Sequence, residues 1–300
     1  MTGFTGADVP DQRGKTFIVT GANTGIGFEV ARCLANRGAR VLLGCRDATK
    51  AASAIARMEP DLNVVHLPLD LADLGSVRAA AERAASEERI DGLINNAGVM
   101  FPPLTRTAQG FELQWGVNHL GGFALTALLL PKLAETPGAR AVVSASLAHR
   151  RGDIQWSDLN AERDYKRTRR YSDSKLANML HFFELDRRLR AAGSPVTAIG
   201  CHPGVAATEL MRHSGAFNIF TPLFGFLLNS AEMGAWPALQ AATDPSASGG
   251  DYFGPQGLGE ARGKSGRAKR SKAATDTALA RQLWDISVEM TGIDPGLAPA

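Results

Sequence analysis

The sequence predicts a doubly wound α/β fold: one domain built on a single parallel sheet, with helices on both faces. Three observations predict it. Short apolar runs of strand type alternate with amphipathic stretches of helical length along most of the 300 residues. The first apolar run ends in a glycine-rich turn that leads straight into helical spacing. No stretch is rich enough in Pro, Gly or Ser to act as a linker, and no internal repeat divides the chain. Residues 1–14 read as an N-terminal extension and residues 15–300 as one domain.

The elements follow in order. "KTFIVTG" is a strand ending at Gly21, and helical spacing runs from Ile26 to Asn36 before Gly38 stops it. "ARVLLGC" is the second strand, followed by a helix near Ala48 to Met58, the strand "NVVHLPL" and a helix near Asp73 to Ser86. Then come "IDGLINN", a long helix from about Phe111 to Leu133, and "ARAVVSA". An irregular polar segment precedes a helix from about Tyr171 to Ala192 and the strand "VTAIGC". An apolar loop, a helix around Glu232 to Ala242 and a short strand at "DYF" complete the series. Continuous apolar strands, as opposed to alternating ones, fit a sheet buried on both faces.

Composition sets limits on function. At 44% hydrophobic and 21% charged residues, the chain can bury a large core and remain soluble. A net charge of +3 is too small to imply a nucleic-acid partner. Cys33, Cys45 and Cys201 show neither metal-ligand spacing nor an even disulfide set, so no metal is expected and a reducing cytoplasm fits. The N-terminus lacks an apolar h-region, and no uninterrupted apolar run reaches the roughly 18 residues a membrane span needs. The nearest approach, "SGAFNIFTPLFGFLLNSA" from Ser214, is broken by Asn218, Pro222 and Gly225 and reads as an apolar loop or short helices.

In a doubly wound sheet ligands bind beyond the carboxyl ends of the strands, near the switch point. After the first strand stands "TGANTGIG", where Gly21, Gly25 and Gly27 let the backbone turn tightly and approach a pyrophosphate at the positive end of a helix. The fourth strand ends in "NNAG", Asn95 to Gly98, which alone would be only an Asn-rich turn. Further on, "YSDSK" sets Tyr171 one helical turn before Lys175, so the phenol and ammonium share a face.

With "TGANTGIG", "NNAG", Asn118 in the long helix, Ser146 after the fifth strand, "YSDSK" and "HPGVAAT" after the sixth, the chain resembles the short-chain dehydrogenase/reductase family. These six ordered motifs cover residues 15 to 208. "LGCRD", "GDIQWSDLN" and the tail "YFGPQGLGEARGKS" extend the likeness to the branch holding retinol dehydrogenases, protochlorophyllide reductases and WW-domain oxidoreductases. The resemblance implies a Rossmann-like sheet, a nicotinamide cofactor and a carbonyl or alcohol substrate. It assigns Tyr171 as proton donor and Lys175 as the cation that, with the oxidised nicotinamide, lowers the phenol's pKa and that also holds the nicotinamide ribose. Ser146, chosen over Ser144, would hydrogen-bond the substrate oxygen, and Asn118 would hold a water linking the lysine to solvent. Cofactor contacts are expected at Gly21, Asn23, Thr24, Gly25, Ile26 and Gly27 on the glycine turn, and at Asp70, Leu71, Asn96, Ala97 and Gly98. Tyr171, Lys175, Pro203, Gly204 and Thr208 would meet the nicotinamide end.

Cofactor choice turns on the end of the second strand, where an acidic residue would favour NAD. Cys45 holds that place and Arg46 follows, with a planar fork suited to the 2′-phosphate of NADP(H). Asp47 reads as a helix N-cap. The apolar flap, about residues 209–230, implies through Phe217, Phe220 and Phe224 a pocket for a bulky hydrophobic ketone or aldehyde, or the corresponding alcohol. A retinoid- or sterol-like alcohol is the alternative substrate, and a non-catalytic nucleotide-binding regulatory protein is the alternative class. The 25 residues from Ser146 to Tyr171 imply an inserted loop; Tyr165 within it has no lysine partner and receives no catalytic role. His119 reads as a packed helix residue, His202 as part of a turn, and Arg262, Lys264, Arg267, Lys269, Arg270 and Lys272 as a solvated face. A homo-oligomer is compatible with the sequence.

Overall fold

The computed structural model describes residues 3–205 and 229–300. The elements are β1 (Thr16–Thr20), α1 (Gly25–Asn36), β2 (Arg40–Cys45), α2 (Ala48–Ala56), β3 (Val64–Pro68), α3 (Leu74–Ala85) and β4 (Gly92–Asn95). A short α4 (Leu113–Trp115) passes through one π-helical stretch, Gly116–Leu120, into α5 (Gly121–Ala134). Then follow β5 (Arg140–Ser144), α6 (Arg167–Ala191), β6 (Thr197–Cys201), α7 (Ala231–Thr243), β7 (Tyr252–Gly257), β8 (Arg262–Arg267) and α8 (Thr277–Thr291).

One eight-stranded sheet has the order β3-β2-β1-β4-β5-β6-β7-β8, parallel as far as β7. The chain reverses direction across the sheet between β1 and β4, which makes that junction the switch point. β1 is buried at every position because helices cover both its faces. On one side α1 and α7 supply Phe28, Val30, Leu34 and Leu239. On the other, α3 and α5 supply Val77, Phe123, Leu125 and Leu129. Asp47 caps α2 by accepting the Lys50 N–H at 3.0 Å, as its position predicts.

Three features depart from the pattern reading. β8, "RGKSGR", is antiparallel to β7 and was not expected, because a basic, glycine-rich stretch carries no apolar run; only Ser265 in it is buried. Phe4 pairs with Ser265 across this edge and Val9 is buried in the core, so the stretch read as an N-terminal extension is docked on the domain. α8 was also unassigned; it buries Ala280, Leu283, Trp284 and Ser287 on one face, and the Arg188 guanidinium lies 4.4 Å from the Trp284 ring.

α6 starts a turn earlier than Tyr171. Arg170, part of the supposed polar loop, is buried and pairs with Asp158 at 3.0 Å, which ties the insertion to the helix. In the basic cluster, Lys264, Arg267, Lys269 and Lys272 are exposed as expected. Arg270 is not: it lies over the Phe182 ring at 5.4 Å and donates to the Gly250 carbonyl.

Packing between α6 and β6 leaves no room for a methyl group at Gly200, whose added Cβ would stand 2.4 Å from Phe182 Cε1. Overpacking of a closed core costs about 1–3 kcal/mol. Gly200→Ala should therefore lower Tm by several degrees in a thermal melt, and adding Phe182→Leu should restore part of the loss. An unchanged Tm in the single variant would show that the contact yields without cost.

Candidate active site

A cleft of about 390 Å³ opens at the carboxyl ends of the central strands. Its floor is the turn from β1 into α1. Gly21 and Gly25 adopt left-handed φ of 66° and 58°. A Cβ at Gly27 would lie 2.4 Å from the Gly21 carbonyl and 2.5 Å from Asn96 Nδ2, so only hydrogen fits there. Thr20, unnoticed in the sequence, holds this floor to β4: its Oγ1 accepts the N–H groups of Asn96 and Ala97, each at 3.0 Å. Asn96 Nδ2 returns a bond to the Thr20 carbonyl at 3.0 Å. Arg57 was also missed; it donates to the Asn23 carbonyl at 3.0 Å while lying 4.4 Å over the Phe28 ring.

The glycine cradle and the free N–H groups at the start of α1 fit the pyrophosphate of a dinucleotide. Asn23, Thr24, Ile26, Asp70, Leu71, Ala97 and Gly98 line the same cleft, as do Tyr171, Lys175 and Pro203. Asp70 Oδ1 already accepts the Ala72 N–H at 2.9 Å. Gly204 stands behind Pro203, off the wall, with φ 73°. At the adenosine end Cys45 is buried and its thiol turns to the Asp47 carbonyl at 3.6 Å, whereas Arg46 is exposed on the cleft wall. Thr208, Phe217, Phe220 and Phe224, with the flap up to residue 228, lie outside the described residues.

At the other end of the cleft α6 brings Tyr171 and Lys175 together. The ammonium lies 5.8 Å from the phenol's ring centroid and donates to the Ser144 carbonyl at 3.3 Å. The Tyr171 hydroxyl pairs with Ser146, while the Ser144 hydroxyl turns to Cys201 Sγ at 3.5 Å. Burial pushes the Tyr171 phenol above its ordinary value, and Ser146 pulls it only partly back. The sequence reading expected Lys175 together with the oxidised nicotinamide to lower it; among the protein's own groups burial dominates, and the ammonium is directed at Ser144. Burial also drives Lys175 down to about 8.

Asn118 sits on the π stretch, a geometry often found at functional sites. Its Oδ1 accepts the Val99 N–H at 2.7 Å, and its Nδ2 donates to the Val99 carbonyl and to Ser174 Oγ, each at 3.0 Å. The carboxamide thus fixes the loop after "NNAG". That loop is clamped further along. Phe101, at an unusual φ of 59°, donates its N–H to Gln114 Oε1 at 3.0 Å and sets its ring edge-on to Tyr171 at 5.4 Å. Tyr165, given no catalytic role, donates to the Pro102 carbonyl at 2.7 Å.

His119 is a packed core residue with Nε2 2.7 Å from Ser287 Oγ, and burial holds it neutral. Among the described residues no group of His, Cys, Asp and Glu could hold a metal. Nor is any described helix long and apolar enough to cross a membrane.

A dinucleotide cradle at the switch point of a doubly wound sheet, opening onto a buried tyrosine–lysine pair, defines a nicotinamide-dependent oxidoreductase of alcohols and carbonyls. The family model for the short chain dehydrogenases matches residues 15–218, and the chain belongs to that family, in a retinol-dehydrogenase-like branch. Human retinol dehydrogenase 12 is 43% identical over 286 residues, covering 93% of this chain and 87% of its own. Human retinol dehydrogenase 13 is 43% identical over 298 residues, with 94% and 86% covered. A crystal structure of an uncharacterised protein from Mycobacterium paratuberculosis is 41% identical, with a TM-score of 0.84 over 99% of this chain and all of the other. The Pseudomonas aeruginosa RhlG/NADP complex, at 24% identity and a TM-score of 0.64 over 80% of this chain and 94% of its own, shares the fold.

The enclosed ammonium predicts a measurable stability effect. The folded pKa of Lys175, about 8, is below its ordinary 10.5, so the unfolded chain binds the extra proton more readily between those values. Stability should rise as pH climbs through that window, and below it the cost is complete. A shift of that size corresponds to an upper bound on the order of 3 kcal/mol. Lys175→Met should therefore raise Tm by a few degrees at pH 7, with the gap narrowing towards pH 10. A lower Tm at pH 7 would contradict this account of the buried charge.

Proposed function

We propose that the protein is an NADP(H)-dependent carbonyl reductase or alcohol dehydrogenase acting on a bulky hydrophobic ketone or aldehyde, or on the corresponding alcohol. The observation that carries the cofactor choice is the cleft wall at the end of β2: Arg46 is exposed there beside the uncharged Cys45. A 2′-phosphate beside Arg46 would meet a guanidinium that cannot lose its charge, and no carboxylate at the end of β2 would repel it. Asp47 is spent on capping α2. NADPH, when bound, supplies the hydride that reduces the carbonyl carbon.

The chain's own residues handle the oxygen. Ser146 donates a hydrogen bond to it, and Tyr171 gives its proton as the alkoxide develops. The Ser146–Tyr171 pairing supports this division of labour, since both hydroxyls are already at one spot. Lys175 holds the nicotinamide ribose and keeps positive charge close to the phenolate left behind, which lowers the cost of that anion in a buried site. Asn118 sets the Val99 loop on the opposite wall and would hold a water that links Lys175 to solvent for the return of the proton. The phenylalanines of residues 217–224 support a bulky apolar substrate.

Retinoid-like alcohols are the second reading, favoured by relatives that carry the name retinol dehydrogenase over nearly the whole chain. A non-catalytic nucleotide-binding protein would have no chemical use for Asn118, Ser146, Tyr171 and Lys175 together.

Tyr171→Phe removes only the proton donor. Turnover with NADPH and a bulky ketone, followed at 340 nm, should fall by at least about 100-fold while NADPH still binds. Near-normal turnover would overturn the assigned mechanism.

A charge-assisted bond from Arg46 of about 1.5–3 kcal/mol corresponds to roughly 10- to 150-fold preference for NADP(H) in kcat/KM. The Cys45→Asp, Arg46→Ala double variant should shift that preference towards NADH. Equal use of both cofactors by the parent, or no shift in the variant, would sink the assignment.

A further inference from the structure

The turn between β7 and β8 is wound tightly, with Leu258, Gly259 and Glu260 at φ of 48°, 65° and 70°. Two of these are non-glycine residues in the left-handed region, a conformation that persists only when the surroundings hold it. What it delivers is the Glu260 carboxylate, placed among three partners from separate parts of the chain. Arg150 Nη2 donates to Oε2. The Lys269 N–H, just past β8, donates to Oε1 at 2.9 Å. His202 Nε2, at the end of β6, stands 3.4 Å from Oε2 and has no closer partner. Burial works against the carboxylate's charge, but these groups outweigh it and hold the acid at about 2.

Two of the partners lead to the reacting end of the cleft. His202 is fully buried, and its Nδ1 accepts the Gly204 N–H at 3.1 Å, so its ring proton belongs on Nε2, facing Glu260. Gly204 lies close under the same turn: a Cβ there would meet the Ala261 carbonyl at 2.4 Å. The Val205 N–H donates to that carbonyl at 2.9 Å. Asn229 closes the clamp, accepting the Gly263 N–H at 3.2 Å and donating to the Pro203 carbonyl at 2.9 Å. On the other side, Arg150 belongs to the 3-10 turn Leu147–Arg151 that Ser146 caps through the Ala148 N–H at 3.2 Å. His149 in that turn donates from Nδ1 to the Ser146 carbonyl at 2.6 Å and accepts the Ser271 N–H on Nε2 at 3.3 Å.

We propose that Glu260 is a positioning residue: from the β7–β8 turn its carboxylate sets both the Ser146 loop after β5 and the Pro203–Gly204 turn after β6, fixing the two walls between which the reaction occurs. Glu260 does not line the cleft, so it acts through Arg150 and His202 and not on the substrate. The inference rests on the reductase reading above and gives the β7–β8 hairpin, which no cofactor or substrate assignment uses, a part in the chemistry.

The test compares Glu260→Ala and Glu260→Gln with the parent in the full chain. Three quantities are measured: kcat and KM per NADPH-binding site, counted by fluorescence titration; the isotope effect on kcat with 4-deuterated NADPH; and amide hydrogen exchange at Gly204 and Val205. In Glu260→Ala the per-site kcat should fall at least about tenfold with a larger isotope effect, because misplacement slows the hydride step itself. Exchange at both amides should speed up by a similar factor, with NADPH affinity within about threefold of the parent. Glu260→Gln keeps an acceptor for the Lys269 N–H and should recover much of the loss. Per-site kcat within twofold of the parent and unchanged exchange would overturn the proposal, as would a loss confined to the number of NADPH-binding sites. Should Glu260→Ala fail to fold, Glu260→Gln and Arg150→Met are read by the same measurements. A parent that binds NADPH yet reduces no carbonyl would defeat the reductase reading instead, and the exchange rates would still decide whether Glu260 holds the turn.

Discussion

An ammonium closed off from solvent is the constraint on which the rest of this structure depends. Lys175 is buried on α6, its described hydrogen-bond partner is the Ser144 carbonyl, and its proton is held only weakly, with a pKa of about 8. A charge in that place is expensive in isolation. It is tolerable because the ends of β5 and β6 and the Gly98 backbone gather polar groups around it. The Ser144 carbonyl is shared with Asn178 Nδ2 at 3.0 Å, and Asn118 Oδ1 faces the same side of Gly98 as the ammonium, the two lying 3.1 and 3.4 Å from where a Cβ would stand. The same enclosure raises the Tyr171 phenol. Burial thus disfavours the charged forms of acid and cation alike, and a positively charged ligand in the cleft would relieve the phenol by Coulombic attraction while pressing further on the lysine.

Holding that enclosure open to a cofactor but closed to water demands rigid loops, and each loop is tied by side chains from a distant element. Thr20 on β1 secures the Asn96–Ala97 turn after β4. Asn118 within the π stretch and Gln114 just before it secure Val99 and Phe101. Tyr165 in the insertion secures Pro102. Catalytic loops on a doubly wound sheet are free to vary in sequence, but their geometry is fixed by such cross-ties.

What could be read from the sequence follows from which of these interactions are local. The glycine turn and the Tyr171–Lys175 pair lie within a few residues of one another, and their spacing is itself the physical signal. β1 to β6 announce themselves as apolar runs because helices cover both faces. β8 does not: it is an edge strand whose pairing to β7 and to Phe4 is made by backbone, so Arg262, Gly263 and Lys264 bear no mark of it. The contacts made by Thr20, Tyr165 and Glu260 were not legible for a related reason. A threonine at a strand end, a tyrosine in a polar loop and a glutamate in a basic tail look like ordinary surface residues until the fold brings Ala97, Pro102 and His202 beside them.

α6 shows the limit most clearly. A helix that crosses the core would be expected to be apolar all round. This one instead buries Arg170, Asp173, Lys175, Asn178, His181, Glu184, Asp186 and Arg188. Periodicity therefore found its existence but not its burial. The polar groups are admissible because most are satisfied by partners one turn away or across the insertion: Glu184 accepts from Arg187 and Arg188, Asp186 from Arg190, and Asp173 from the Asp153 N–H at 2.8 Å. Burial still raises Asp173 to about 6 and lowers His181 to about 4. A helix so built gives up some stability for the right to carry Lys175 into the core. It can do so because β5, β7 and α8 surround it with hydrophobic contact through Val143, Tyr252 and Leu283. The buried cation and the polar helix are thus one feature: the first needs a rigid carrier, and the second is rigid because its charges are paired along its own length.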